Sequence, residues 1–241
     1  MVPLVIMTGA DKGGVGKTTV SRALLDYLQA RKVVPRVFDT ESPGGDLVRF
    51  APAAQIVDMN EVADQMRVFD VAEGVTVVDV RAGMMSPILS ALDQVNLLDD
   101  VRKGAMKLVL LHVLGPTPTS LNEIGEAARM IGGGAAHFIV KNNIDKDSFA
   151  EWDKAPTYAA LLRDAAPRTI DVPQLVKPAR DAIQLNGLSF AGFARDPQQS
   201  RMLRGYVLAW LGAVWRDFDK VGLGAMVDQL VGDHGDEGSA Q

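Results

Sequence analysis

Leu4-Val5-Ile6-Met7-Thr8-Gly9-Ala10-Asp11-Lys12-Gly13-Gly14-Val15-Gly16-Lys17-Thr18-Thr19 decides the fold of this 241-residue chain. An apolar run runs into a glycine-rich turn, and an amphipathic segment follows to Ala30. The pattern predicts a strand over Leu4–Thr8 and a helix over Lys17–Ala30, joined by a loop of the phosphate-binding kind. A polyphosphate needs many N–H donors at close range, and glycines let the backbone wrap that tightly. Gly13, Gly14, Val15, Gly16, Lys17, Thr18 and Thr19 are therefore the expected phosphate contacts, aided by the helix N-terminus. Lys17 would neutralise the outer phosphate oxygens, and the Thr18 hydroxyl would ligate Mg²⁺.

Outward from this loop, short apolar runs alternate with longer amphipathic segments, which predicts an α/β protein with a mostly parallel, twisted sheet and helices on both faces. Strands are expected at Val33–Asp39, with Pro35 placing it near an edge or bulge, and at Gln55–Met59, Val75–Val80, Lys107–Val113, Ala136–Val140 and Arg168–Val172. Helices are expected at Glu61–Phe69, Pro87–Val101, Asn122–Ile131 (entered through Thr117-Pro118-Thr119-Ser120) and Gln198–Asp219, with a broken helix over Ser148–Ala166. No repeat or linker interrupts the chain, so residues 1–231 read as one domain. The acidic stretch 232–241 is expected to be disordered.

Two strands end in carboxylates, Asp39 and Asp79. In such sheets ligands bind beyond the carboxyl ends of the strands, so both would lie beside the phosphates. A carboxylate closing the buried Val75-Thr76-Val77-Val78 run requires a cation or donors nearby, which makes Asp79 a Mg²⁺ residue in the Walker B sense.

The loop resembles the deviant P-loop of the ParA/MinD superfamily. Asp11 occupies the first glycine position of the strict motif, and Lys12 matches that family's signature lysine, which reaches the nucleotide of a partner subunit. The resemblance implies an ATPase that binds ATP and Mg²⁺ and forms an ATP-dependent homodimer with loops face to face. Lys12 and Lys17 would be catalytic. Asp39 would position the attacking water and stand near the metal, with Glu41 in place of the second acidic residue usual there. Asn142 and Asn143, after the strand ending at Val140, would read the adenine edge, and Pro173 would lie on the second adenine loop. Arg81-Ala82-Gly83 departs from the Pro-Pro usual in partition ATPases.

Composition removes other classes. There is no cysteine, so no disulfide, thiolate zinc site or iron–sulfur cluster forms within the chain. The iron–sulfur and tail-anchored-protein branches of the superfamily fall with it. His112, His137 and His234 lie far apart in sequence without metal-ligand spacing. A net charge of −5 argues against bulk coating of nucleic acid, although Arg195, Arg201, Arg204, Arg216 and Lys220 could contact non-specific DNA. The N-terminus lacks a signal peptide's basic start, and the longest apolar run, Tyr206–Trp215, is too short to span a bilayer. A cytoplasmic location is expected, without a membrane surface as partner. Leu203, Val207, Trp210, Leu211, Val214 and Phe218 form the core face of the last long helix, and core packing is also the reading of its small stripe, Gly205, Ala209, Gly212 and Ala213.

The remaining branch is plasmid-borne, similar to ParA-like, TraL and StbB proteins. It implies a slow ATPase switch in plasmid partition, conjugation or cargo positioning, with a stimulating partner protein. The alternatives are an ATP-consuming ligase of the dethiobiotin-synthetase type and a nucleotide-dependent adaptor with negligible hydrolysis.

Overall fold

A computed structural model describes residues 2–115, 121–144, 149, 152–154, 156, 158 and 167–231. The strands among them are β1 (Leu4–Gly9), β2 (Arg36–Asp39), β3 (Gln55–Ile56), β4 (Val75–Asp79), β5 (Lys107–Val113), β6 (Ala135–Asn142) and β7 (Arg168–Val172). They form one sheet of order β3-β2-β4-β1-β5-β6-β7, and every pairing is parallel. This is an α/β arrangement with a wholly parallel sheet. Parallel strands need crossovers, and the helices supply them.

The helices are α1 (Lys17–Ala30), α2 (Val62–Phe69), α3 (Met85–Gln94), α4 (Leu97–Arg102), α5 (Leu121–Ile131), α6 (Lys177–Asn186), α7 (Phe190–Arg195), α8 (Arg201–Lys220) and α9 (Leu223–Val231). Alternation along β1 divides the core. Leu4 and Ile6 face one layer with Leu24, Ile183, Phe190, Trp210 and Val227, while Val5 and Met7 face the other with Phe69, Leu89, Leu98 and Ile131. Helices therefore cover both faces.

Several boundaries differ from expectation for local reasons. β2 begins at Arg36 rather than Val33, because Lys32 takes a positive φ of 61° and the Val33 N–H still bonds the Leu28 carbonyl at the helix end. Pro35 thus precedes the strand, and β2 lies between β3 and β4 instead of at the edge. The expected helix over 87–101 breaks into α3 and α4 at Asn96, whose φ is 60°. The helices α6, α7 and α9 were not anticipated, since each is short and carries glycine or polar interruptions at its ends. Of the expected broken helix, Trp152–Lys154 is a 3₁₀ turn. The entry Thr117–Ser120 and the tail 232–241 lie outside the described residues.

On α8 the predicted core face holds, with Val207, Trp210, Leu211, Val214 and Phe218 buried. The small stripe does not pack into the core: Gly205 and Ala209 are exposed beside Met202 (67% exposed) and Tyr206 (47%). Arg195, Arg201, Arg216 and Lys220 are exposed, and Arg204 is half-buried. No helix among the described residues is long and apolar enough to cross a membrane.

Side-chain hydrogen bonds flank the outer strands. On β7 the Asp171 N–H donates to the Asp217 carboxylate at 2.6 Å, and the Arg168 guanidinium donates to the Val221 carbonyl. At the other side, the Arg36 guanidinium donates to the Arg67 carbonyl, and Arg67 donates to the Gln55 side chain at 2.6 Å.

His112 and His137 are brought together, contrary to the separation suggested by their sequence spacing. β5 and β6 pair in register, so the rings stack at 5.5 Å and their Nε2 and Nδ1 atoms lie 3.2 Å apart. Burial, followed by the neighbouring ring, holds His112 down to about 3. Among the described residues no third ligand joins them to make a metal site.

Candidate functional site

β1 delivers the chain to the glycine loop at the carboxyl end of the sheet. Gly16, at the N-terminus of α1, has φ 87°, and a Cβ there would lie 2.0 Å from the Asn142 amide nitrogen. Only glycine satisfies both demands. Gly14 has φ 77°, and a Cβ added at Gly13 or Gly14 would meet nothing within 4 Å. The loop therefore presents an open face lined by backbone. Val15 is buried in the core and pins the loop from beneath.

Lys17 opens α1 and is buried to 9% exposure. It has no hydrogen-bond partner among the described residues, and its charge acts on Asp79. Lys12 is exposed on the same loop. The Thr18 hydroxyl donates to one Asp79 oxygen at 2.8 Å and Ser21 donates to the other at 3.0 Å. Burial pushes the Asp79 carboxyl up from 3.8 to about 6; the Thr18 hydroxyl opposes the rise and neighbouring Asp39 adds to it. A hydroxyl beside a carboxylate is a hard-oxygen pair suited to Mg²⁺, which takes few protein ligands and completes its shell with water and phosphate. The residues present fit that ion.

Asp39 stands in register beside Asp79 across β2 and β4. Its Oδ1 accepts the Glu41 N–H at 3.0 Å and its Oδ2 accepts the Leu47 N–H at 2.9 Å. The carboxylate thus holds the loop after β2, while Glu41 is exposed. Thr40 ties that loop to the next one, since its hydroxyl accepts the Arg81 N–H at 2.7 Å. This contact is the structural use of the segment that departs from Pro-Pro.

Beyond the loop lies a cavity of about 210 Å³. Gly14, Gly16 and Thr19 of the loop and α1 line it together with Asn142, Asn143, Pro173, Leu175 and an aromatic pair, Phe190 and Trp210, whose centroids lie 4.7 Å apart. Six of the residues expected from sequence thus border one space. Asn142 donates its amide to the Val15 carbonyl at 2.9 Å, and Asn143 donates to the Val172 carbonyl at 3.0 Å. Both amide nitrogens brace the backbone, and each side chain keeps its carbonyl oxygen as an acceptor. Pro173 contributes its carbonyl to the Trp210 indole N–H at 2.6 Å.

Arg22, Phe190 and Trp210 were not singled out as site residues. Arg22 does carry a signal, because it follows Thr19 by three residues on the helix face that begins at Gly16. The aromatic pair comes from α7 and α8, far away in sequence, and nothing local marks it.

No family model matches the chain, and no curated protein matches it. Among solved structures it is similar to a nucleotide-binding protein in complex with ADP from Archaeoglobus fulgidus, at 15% identity over 76% of this chain and 85% of that one, with a TM-score of 0.48. It is similar to the MinD cell division protein of Aquifex aeolicus, at 13% identity over 87% and 97% of the two chains and a TM-score of 0.49. The MinC:MinD complex of Aquifex aeolicus aligns at 14% identity over 87% and 96%, with a TM-score of 0.44.

Proposed function

We propose that this chain is an ATP-binding, Mg²⁺-dependent switch of the ParA/MinD kind that hydrolyses ATP slowly. The observation that carries the reading is the continuity of the glycine loop with the cavity. A ligand with phosphates on the loop amides and a flat apolar ring against Phe190 and Trp210 would fill both parts, and a nucleotide has that shape.

Lys17 would sit against the outer phosphates, and Thr18 and Asp79 would hold Mg²⁺, which neutralises phosphate charge when bound. Asp39 keeps a second lone pair on each oxygen, available to orient a water, while the loop amides fix the direction of the carboxylate. Lys12, exposed on the loop, would reach the nucleotide of a second copy, giving an ATP-dependent homodimer. Residues 1–231 would act as one domain in the cytoplasm. A stimulating partner protein, and a role in plasmid partition, conjugation or cargo positioning, follow from the same reading. Non-specific DNA is a track compatible with the exposed Arg195, Arg201, Arg216 and Lys220.

Calorimetric titration of ATP and ADP, with size-exclusion chromatography in ADP, ATP and a non-hydrolysable analogue, tests this. Lys17→Ala should weaken ATP binding by roughly ten- to a hundredfold, the value of a lost charge-assisted contact. Asp39→Ala should accumulate dimer with ATP. Unchanged affinity in Lys17→Ala would end the proposal.

A further inference from the structure

Arg22 is a buried cation that the reading above does not use. It is 6% exposed, and its Nε lacks any hydrogen-bond partner. The guanidinium lies between two rings, 3.4 Å from the Phe50 centroid and 4.2 Å from that of Phe190. One terminal nitrogen donates to the Leu188 carbonyl at 3.2 Å. No carboxylate lies within ion-pair distance of it among the described residues; Asp26, one turn along α1, is instead turned to the Ala191 N–H at 2.9 Å.

Burying a guanidinium with an unmet donor is costly unless something supplies the acceptor. Arg22 borders the same cavity as Gly16 and Thr19, and Arg180 borders it from α6. Arg49 lies close enough to Arg22 to act on its charge. Among the described residues the cavity lining holds no carboxylate. Asp26 on α1 acts on the Arg22 charge but leaves its Nε without an acceptor, which an occupant could supply.

The rings that clamp Arg22 come from different parts of the chain. Phe190 begins α7, whereas Phe50 ends the 3₁₀ turn Leu47–Arg49. That turn is held at its start by Asp39, through the Leu47 N–H. It is held at its end by Arg49, which donates to the Gln184 carbonyl on α6. A single segment, residues 46–50, thus spans from the carboxylate beside Asp79 to the stacked guanidinium at the cavity.

We propose that Arg22 contacts the nucleoside moiety of the bound nucleotide, donating to its ribose or ring acceptors, and that this contact fastens segment 46–50 through Phe50. This rests on the nucleotide reading and adds to it. Arg22 becomes the residue that distinguishes a nucleotide from a bare polyphosphate, and it reports occupancy to the loop held by Asp39.

The test compares ADP with inorganic tripolyphosphate, both with Mg²⁺, on the full chain. Wild type binds both, ADP more tightly, and ADP alone slows hydrogen exchange in 46–50. Arg22→Met weakens ADP by roughly ten- to a hundredfold, leaves tripolyphosphate unchanged and abolishes the protection. Arg22→Lys keeps the charge without the planar fork and gives a partial loss. Phe50→Leu, which removes the clamping ring that does not line the cavity, gives a smaller selective loss of ADP binding with loss of the protection, and covers the case in which Arg22→Met does not fold. Equal weakening of ADP and tripolyphosphate, or no weakening of either, overturns the proposal. If wild type binds neither ligand, the nucleotide reading itself falls and takes this one with it.

Discussion

Replacing Asp79 with asparagine should make the empty protein more stable at neutral pH while impairing its response to Mg²⁺. The carboxyl is buried, and burial lifts it from 3.8 to about 6. At 1.36 kcal/mol for each tenfold change in proton affinity, that gap corresponds to about 3 kcal/mol. The folded state holds this proton more tightly than the unfolded state. The penalty is therefore full above pH 6, shrinks as the pH falls from 6 towards 4, and is gone below that. Asparagine never ionises, but it turns an –NH₂ towards one of the hydroxyls of Thr18 and Ser21, which returns about 1 kcal/mol of the gain. A net gain of about 2 kcal/mol raises the melting temperature by roughly 4–8 °C in a protein of this size. Calorimetric melts of both proteins without nucleotide, at pH 7.5 and pH 4, measure it. The gain should appear only at pH 7.5, and Mg²⁺–ADP should then raise the melting temperature of wild type more than that of the variant. A variant that melts at or below wild type at pH 7.5, or whose advantage is equal at both pH values, refutes the reasoning.

The histidine stack gives the opposite pH response. Below 6.5 the unfolded chain takes up a proton that folded His112 refuses down to about 3, so at pH 5 stability falls by about 2 kcal/mol; His112→Phe should flatten that slope in urea titrations. Asn142→Ala leaves the Val15 carbonyl without its donor and should destabilise by about 1–3 kcal/mol, with weaker nucleotide binding read by calorimetry. Gly16→Ala forces a Cβ against Asn142 at a positive φ and should cost about 1–3 kcal/mol, measured by chemical denaturation.

Strands ending in carboxylates were legible because buried β-branched runs such as Val75–Asp79 have few alternatives, and the loop was legible because few chemistries ask for three close glycines before Lys-Thr. Pairing partners were not. His112 and His137 meet only because β5 and β6 align in register, which no local pattern encodes. The asparagines were located at the cavity, but their backbone bonds were not foreseen, since sequence gives a position and not the direction of an amide. The aromatic pair of the cavity belongs to α7 and α8, short or distant elements whose apolar residues read as ordinary core. The small stripe of α8 misled because composition does not say which side of a helix meets solvent.

At one margin of the sheet, the Asp171 N–H of β7 is taken by the Asp217 carboxylate of α8. An edge N–H already bonded to a carboxylate from a neighbouring helix is closed to an incoming strand at that point. The acid of α8 thereby guards that stretch of β7 against strand addition by another copy.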